Sequence, residues 1–253
     1  MCTLTIVPGC KETVAIGCFR LAFNRDEEHT RQPGHPPTIE VHGDRQVIIP
    51  RDPDGGGTWI AVSDVGLAFA ILNVNPIEKP ASSHGGLSRG AVIPSLLGVD
   101  SIDSVAHLLP EAVHKVMRPF RLVVTDGRTW LEALGSLGSV TCKAHELSEP
   151  IMRSSSGLGD HIVEGPRRTV FESMFHESDL SLASVQDEFH ASRIPNHDEQ
   201  SVDMLRDDAR TVSTAVITVT QTDIEMSYTP GSPRENTPEM RYSIARTLIP
   251  GVA

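Results

Sequence analysis

Residues 66–73 (GLAFAILN) constrain the fold more than any other stretch of this chain. The run is almost entirely apolar, short, and bounded by turn residues, the signature of a strand buried on both faces. Residues 58–63 (TWIAVS) precede it across Asp64-Val65, so the two segments read as a hairpin. Residues 2–7 (CTLTIV) and 14–23 (VAIGCFRLAF) flank a Pro8-Gly9 turn and read as a second hairpin. At the other end of the chain, residues 212–220, 224–228 and 241–248 have the same β character, joined by a Pro/Gly/Asn-rich loop over 229–238.

The middle of the chain changes period. Val92, Ile93, Leu96 and Leu97 fall on one helical face, and Ile102, Val105, Ala106, Leu108 and Leu109 on a second, which Pro110 interrupts. Residues 120–125 (FRLVVT) read as a strand and 130–134 as a short strand or turn. Residues 167–176 and 180–189 read as helices, and the acidic stretch 195–208 as a loop. Strands at both ends with helices between them imply an α+β fold: two sheets covered by helices in a four-layer α/β/β/α sandwich, with residues 1–253 as one domain. Periodicity alone does not separate this from other mixed folds.

Hydrophobic residues make up 39% and aromatics 4%, so Val, Ile, Leu and Ala must build the core. A formal net charge of −11 argues against a nucleic-acid partner. No apolar run approaches the ~18 residues of a membrane span. The N-terminus lacks the basic start and cleavage pattern of a secretion signal, which makes a cytoplasmic location the expectation. Cys2, Cys10, Cys18 and Cys142 form no CxxC and no disulfide-dense frame, so reduced thiols are expected.

Cys2 is the residue with the most chemical potential. Removal of Met1 would leave a thiol and an α-amine on one carbon, a nucleophile with its own base. Asn24-Arg25-Asp26-Glu27 follows at the end of the second strand, where Arg25 could hold a thiolate or carboxylate and Asp26 could orient the terminal ammonium; taken alone it also reads as a solvated charged turn. Asn73, at the end of the apolar run, is placed either to donate to an oxyanion or to make a turn with Pro76. Arg210 reads equally as a surface partner of Asp207 or Asp208 and as a residue at the sheet rim.

Other patterns carry less. Gly86-Leu87-Ser88-Arg89-Gly90 matches G-x-S-x-G but follows a loop instead of a buried strand, so Ser88 reads as a helix cap. Gly55-Gly56-Gly57 reads as a turn, and Asp52 with Asp54 lacks the rest of a calcium loop. The eleven histidines show no metal-ligand spacing, so no metal and no cofactor are expected.

Taken together, Met1-Cys2, Asn24-Arg25-Asp26-Glu27, Gly56-Gly57-Thr58-Trp59, residues 66–73 and Ser88-Arg89-Gly90 resemble the NRDE (transport and Golgi organisation protein 2-like) family. The likeness is strong over residues 1–98 and continues in short motifs afterwards. The same skeleton is similar to N-terminal cysteine hydrolases of the bile-salt hydrolase and penicillin V acylase type. That resemblance implies an α/β/β/α fold, with Cys2 as nucleophile, Arg25 and Asp26 positioning it, Asn73 donating to the oxyanion and Arg210 supporting the cysteine. Glu27 is a rival to Asp26. The family's Gly-Leu-Ser-Asn stands here as Gly157-Leu158-Gly159-Asp160, which would put a carboxylate where an amide binds substrate. The implied activity is cleavage of a carbon–nitrogen bond in a small acyl amide. The alternative is a non-catalytic protein holding a lipid, acyl thioester or haem.

Overall fold

The computed structural model describes residues 2–9, 17–75, 87–116, 118–177 and 181–248. Its strands, in chain order, are β1 (Cys2–Pro8), β2 (Phe19–Glu28), β3 (His35–His42), β4 (Arg45–Arg51), β5 (Ile60–Ser63) and β6 (Ala68–Asn73). Helix α1 (Ile102–Val113) separates these from β7 (Phe120–Thr125), β8 (Thr129–Ser136), β9 (Ser139–Glu146) and β10 (Ile151–Ser155). Helices α2 (Asp160–Glu177) and α3 (Leu182–His190) precede β11 (Ala209–Val219), β12 (Asp223–Pro230) and β13 (Met240–Ala245).

These strands make two antiparallel sheets, one ordered β10-β1-β2-β11-β12-β13 and the other β3-β4-β5-β6-β7-β8-β9. The sheets face each other over a core of aliphatic side chains with Phe19, Phe23, Phe69 and Phe120 fully buried. Helices α2 and α3 lie against β10, β1 and β2, and α1 lies against β8 and β9. The α+β sandwich is therefore the observed architecture. The apolar run is buried on both faces, as its composition requires: β6 is central in its sheet and Ala68 to Leu72 are all buried.

Several sequence expectations change in detail. The second strand starts at Phe19 and runs on to Glu28, so Asn24-Arg25-Asp26-Glu27 lies inside a strand instead of in a solvated turn; residues 14–16 of the expected strand, and Cys10, lie outside the described residues. Val92, Ile93, Leu96 and Leu97 are buried as their spacing suggests, but Leu96 lies within, and the other three flank, two 3-10 turns, Arg89–Ala91 and Pro94–Leu96. Pro110 does not end α1. It sits on the exposed side of the helix, where water can satisfy the carbonyl its ring leaves unbonded, while Ile102, Val105, Leu109 and Val113 face the core. Trp130 to Leu134 belong to the longer β8, and β3, β4, β9 and β10 are additional strands.

Candidate active site

The site is built by the alternation of one strand. In the β1–β2 pair, Cys2 lies opposite Arg25 and Thr3 opposite Asn24. Cys2 joins Leu4 and Ile6 in the inner core, so Arg25 shares that inner face, while Thr3 and Asn24 face outward toward the helices. On the other side of β2, the register to β11 shifts between Thr211 and Ser213. This bulge leaves Thr211 opposite Asp26 and Ser213 opposite Arg25, so each face of β2 receives a hydroxyl from β11. Thr211 Oγ1 donates to Asp26 Oδ1 at 2.7 Å.

At this end of the sandwich a cavity of ≈ 520 Å³ opens between the sheets. Cys2, Arg25, Asp26 and Asn73 all line it, so strands from both sheets meet there. The Arg25 guanidinium lies over the Trp59 ring, 4.5 Å from its centroid, and 3.3 Å from Glu27. Gly34 makes room for that indole, because a Cβ there would fall 2.5 Å from the ring. The opposite wall is the Ser88-Arg89-Gly90 turn, in which the Ser88 hydroxyl accepts from the Gly90 N–H as a cap. Thr58 N–H donates to the Gly90 carbonyl at 3.0 Å, and a side chain on Gly57 would collide with the Gly90 backbone at 2.3 Å. The Gly-Gly-Thr-Trp segment therefore needs glycine at 57 to clamp this wall.

Burial, and after it the neighbouring Asp26 carboxylate, raise the Cys2 thiol above its ordinary range; the positive amino terminus at residue 1, the Asp26 backbone N–H and Arg25 oppose them. Such a thiol is mostly protonated at neutral pH and needs a base to become a nucleophile. Burial also raises Asp26, against the pull of Arg167. Arg167 comes from α2 and is fully buried: it reaches Asp26 at 3.8 Å, donates to Thr3 Oγ1 at 2.7 Å, and donates to the Gln200 carbonyl at 3.1 Å. It therefore ties α2 and the 195–208 segment to the strands that carry Cys2 and Asp26.

Asn24 serves the outer face. Its amide nitrogen donates to the carbonyls of His190 (2.8 Å) and Val202 (3.1 Å). Its oxygen accepts from Thr214 Oγ1 at 3.0 Å and faces His190 Nδ1 at 3.0 Å. Because that oxygen is an acceptor, the network assigns the His190 proton to Nδ1 and makes Nε2 the acceptor of the Thr5 hydroxyl, 2.8 Å away. Thr5 in turn accepts from Gln186 Nε2. Burial lowers His190 to about 3, in keeping with this neutral ring.

Two expected site residues are not brought to the cavity. Arg210 lies on β11 at the rim of a neighbouring cavity and pairs with Glu235 at 2.7 Å, instead of with Asp207 or Asp208. Asp160 opens α2, where its carboxylate accepts from the N–H groups of Ser156 (2.8 Å) and Asn75 (3.1 Å) and from Asn75 Nδ2 (3.3 Å). A carboxylate at a helix start is stabilised by the helix dipole. Asp160 thus braces the segment just beyond Asn73 and does not line the wall of the cavity. Among the described residues, no group of His, Cys, Asp and Glu could hold a metal ion, and no helix is long and apolar enough to cross a membrane.

Sequence reasoning missed Arg167, Arg89 and Arg118 as site residues. Arg167 had a readable signal: it falls on the helical stripe of Val163, Val170, Phe171 and Met174, where a charge must find a buried partner. Arg89 was legible only as part of a short motif, and Arg118 had no signal.

The fold is an α/β/β/α sandwich of the N-terminal nucleophile hydrolase type. The Transport and Golgi organisation 2 family matches residues 2–228, and the chain belongs to that family. Among solved structures, penicillin V acylase from Agrobacterium tumefaciens is similar at 13% identity with a TM-score of 0.54, covering 96% of this chain and 86% of that one. The C2A mutant of conjugated bile acid hydrolase from Clostridium perfringens is similar at 11% identity and a TM-score of 0.53, covering 96% and 92%. The Caenorhabditis elegans N-acylethanolamine-hydrolyzing acid amidase ortholog gives 8% identity and 0.52, covering 85% and 92%. These likenesses establish the fold. No curated protein matches the chain.

Proposed function

We propose that this protein is an N-terminal cysteine hydrolase that cleaves the carbon–nitrogen bond of a small acyl amide. The observation that carries the reading is the convergence of Cys2, Arg25, Asp26 and Asn73 on one cavity, in a fold shared with proteins named acylase, hydrolase and amidase. With Met1 removed, the α-amine of Cys2 takes the thiol proton and the sulfur attacks the amide carbonyl carbon. The Asn73 side-chain amide stabilises the oxyanion. The ammonium then returns the proton to the leaving nitrogen, the C–N bond breaks, and the acyl group stays on sulfur as a thioester. Water, deprotonated by the same amine, releases the acid. Arg25, held by Trp59 and Glu27, and Asp26, held by Thr211 and Arg167, position the nucleophile.

The test is Asn73→Ala, with amine release measured over a panel of N-acyl amides. Loss of one oxyanion donor should lower kcat by about 100-fold or more while the melting temperature stays close to that of the parent. Unchanged turnover would remove Asn73 from the mechanism. Unfolding would assign it to the turn instead.

A further inference from the structure

The protein carries a formal charge of −11, yet four arginines, Arg25, Arg31, Arg89 and Arg118, line the cavity that holds Cys2. The three carboxylates beside them are already engaged. Glu27 and Asp52 lie 2.8 and 2.7 Å from Arg31 and also face Arg25, while Asp26 faces Arg167. Among the described residues neither Arg89 nor Arg118 has an ion-pair partner; Arg89 donates to the Pro119 carbonyl at 3.2 Å and Arg118 stands near it as a like charge. Arg89 is partly buried, and the exposed Arg118 beside it adds a like charge that an anion bound between them would offset. The turn that carries Arg89 is fixed by the Ser88 cap and by the Gly57–Gly90 contact, so the group is held in place before any ligand arrives.

We propose that this cavity takes a small ligand through an anionic group, a carboxylate or a phosphate, held by Arg89 and Arg118. The inference rests on the hydrolase reading only for what happens at the other end of the ligand, where an acyl amide would reach Cys2. A cavity of ≈ 520 Å³ accommodates a molecule of that size. Guanidinium groups suit both anions, since their planar donor forks match two oxygens at once. The acidic exterior makes the pair selective, because anions are repelled elsewhere on the surface.

The test titrates three probes into the full-length Cys2→Ala protein, which cannot turn them over: N-octanoylglycine, its neutral analogue N-octanoylglycinamide, and octyl phosphate. At least one anionic probe should bind about 10-fold or more tightly than the neutral one, as expected for charge-assisted contacts. The tighter of the two anions identifies the group. Arg118→Met, at an exposed position, and Arg89→Met should each remove most of that preference, and added salt should weaken it. Equal binding of charged and neutral probes, a preference that survives both substitutions, or no binding of any probe would overturn the proposal. Anion preference in the Cys2→Ala protein, together with no hydrolysis by the wild type, would discard the hydrolase reading and keep the anion site.

Discussion

The two faces of β2 treat their polar side chains in opposite ways. On the outer face, Asn24 joins Thr5, Gln186, His190 and Thr214 in a network in which the donors and acceptors of the Asn24 amide and the His190 ring are all matched. On the inner face, the cavity sets a buried thiol beside a cluster of arginines of which two lack a counterion among the described residues. A satisfied buried network rigidifies a fold, whereas an unsatisfied one is retained for something that comes to complete it. Neighbouring residues of one short motif are therefore divided between structure and chemistry by the pleat alone. Asp26 stands between the two, near Cys2 yet locked by Thr211 and Arg167.

The sharpest way to break this contrast is to remove a cation from each side. Arg167→Met should destabilise the protein by about 3–5 kcal/mol, because it leaves the fully buried Asp26 carboxylate without its cation. Arg118→Met, at the exposed cavity wall, should stay within about 0.5 kcal/mol. Urea unfolding of both variants measures the difference. Similar losses in the two would erase the distinction between a structural and a ligand-directed arginine.

A smaller effect tests the outer network through pH. His190 is lowered to about 3 in the folded protein, against about 6.5 in the unfolded chain. Between those values the unfolded state takes up a proton that the folded state refuses. The contribution is fully present above pH 6.5 and is lost as the pH falls toward 3, at a rate approaching about 1.4 kcal/mol per pH unit. Comparing the pH dependence of unfolding in wild type and His190→Gln isolates this slope. Parallel curves would mean that His190 titrates normally and that the network is looser than its distances imply.

Much of the architecture was legible because its central strands are apolar, as in residues 66–73, or rich in Val, Ile and Thr, as in β11. The edges were not. β9 is exposed along most of its length and β3 nearly so, so neither carries the hydrophobic pattern by which a strand is recognised. Asn24-Arg25-Asp26-Glu27 looked like a charged turn because the partners of Asn24 and Asp26 are remote in sequence: His190 for the one, Thr211 and Arg167 for the other. Cys2, Arg25, Asp26 and Asn73 were found from chemistry and resemblance, and they converge on the cavity. Arg210 and Asp160 were placed by resemblance, and each is taken up by partners outside it: Glu235 for the one, Asn75 and Ser156 for the other. Those partners could not be read from spacing.

The central claim is the proposal that Cys2 is a mature N-terminal nucleophile, and mass spectrometry of the quenched protein tests it most directly. Wild-type protein is mixed with a panel of N-acyl amides, charged and neutral, quenched in acid during turnover, and its N-terminal peptide is weighed. The account predicts a peptide that begins at Cys2 without Met1 and carries a thioester-linked acyl group that is absent from Cys2→Ala. A retained Met1 would leave Cys2 with no amine to act as its base. That result, or acylation at Cys18 or Cys142 in place of Cys2, would contradict the account.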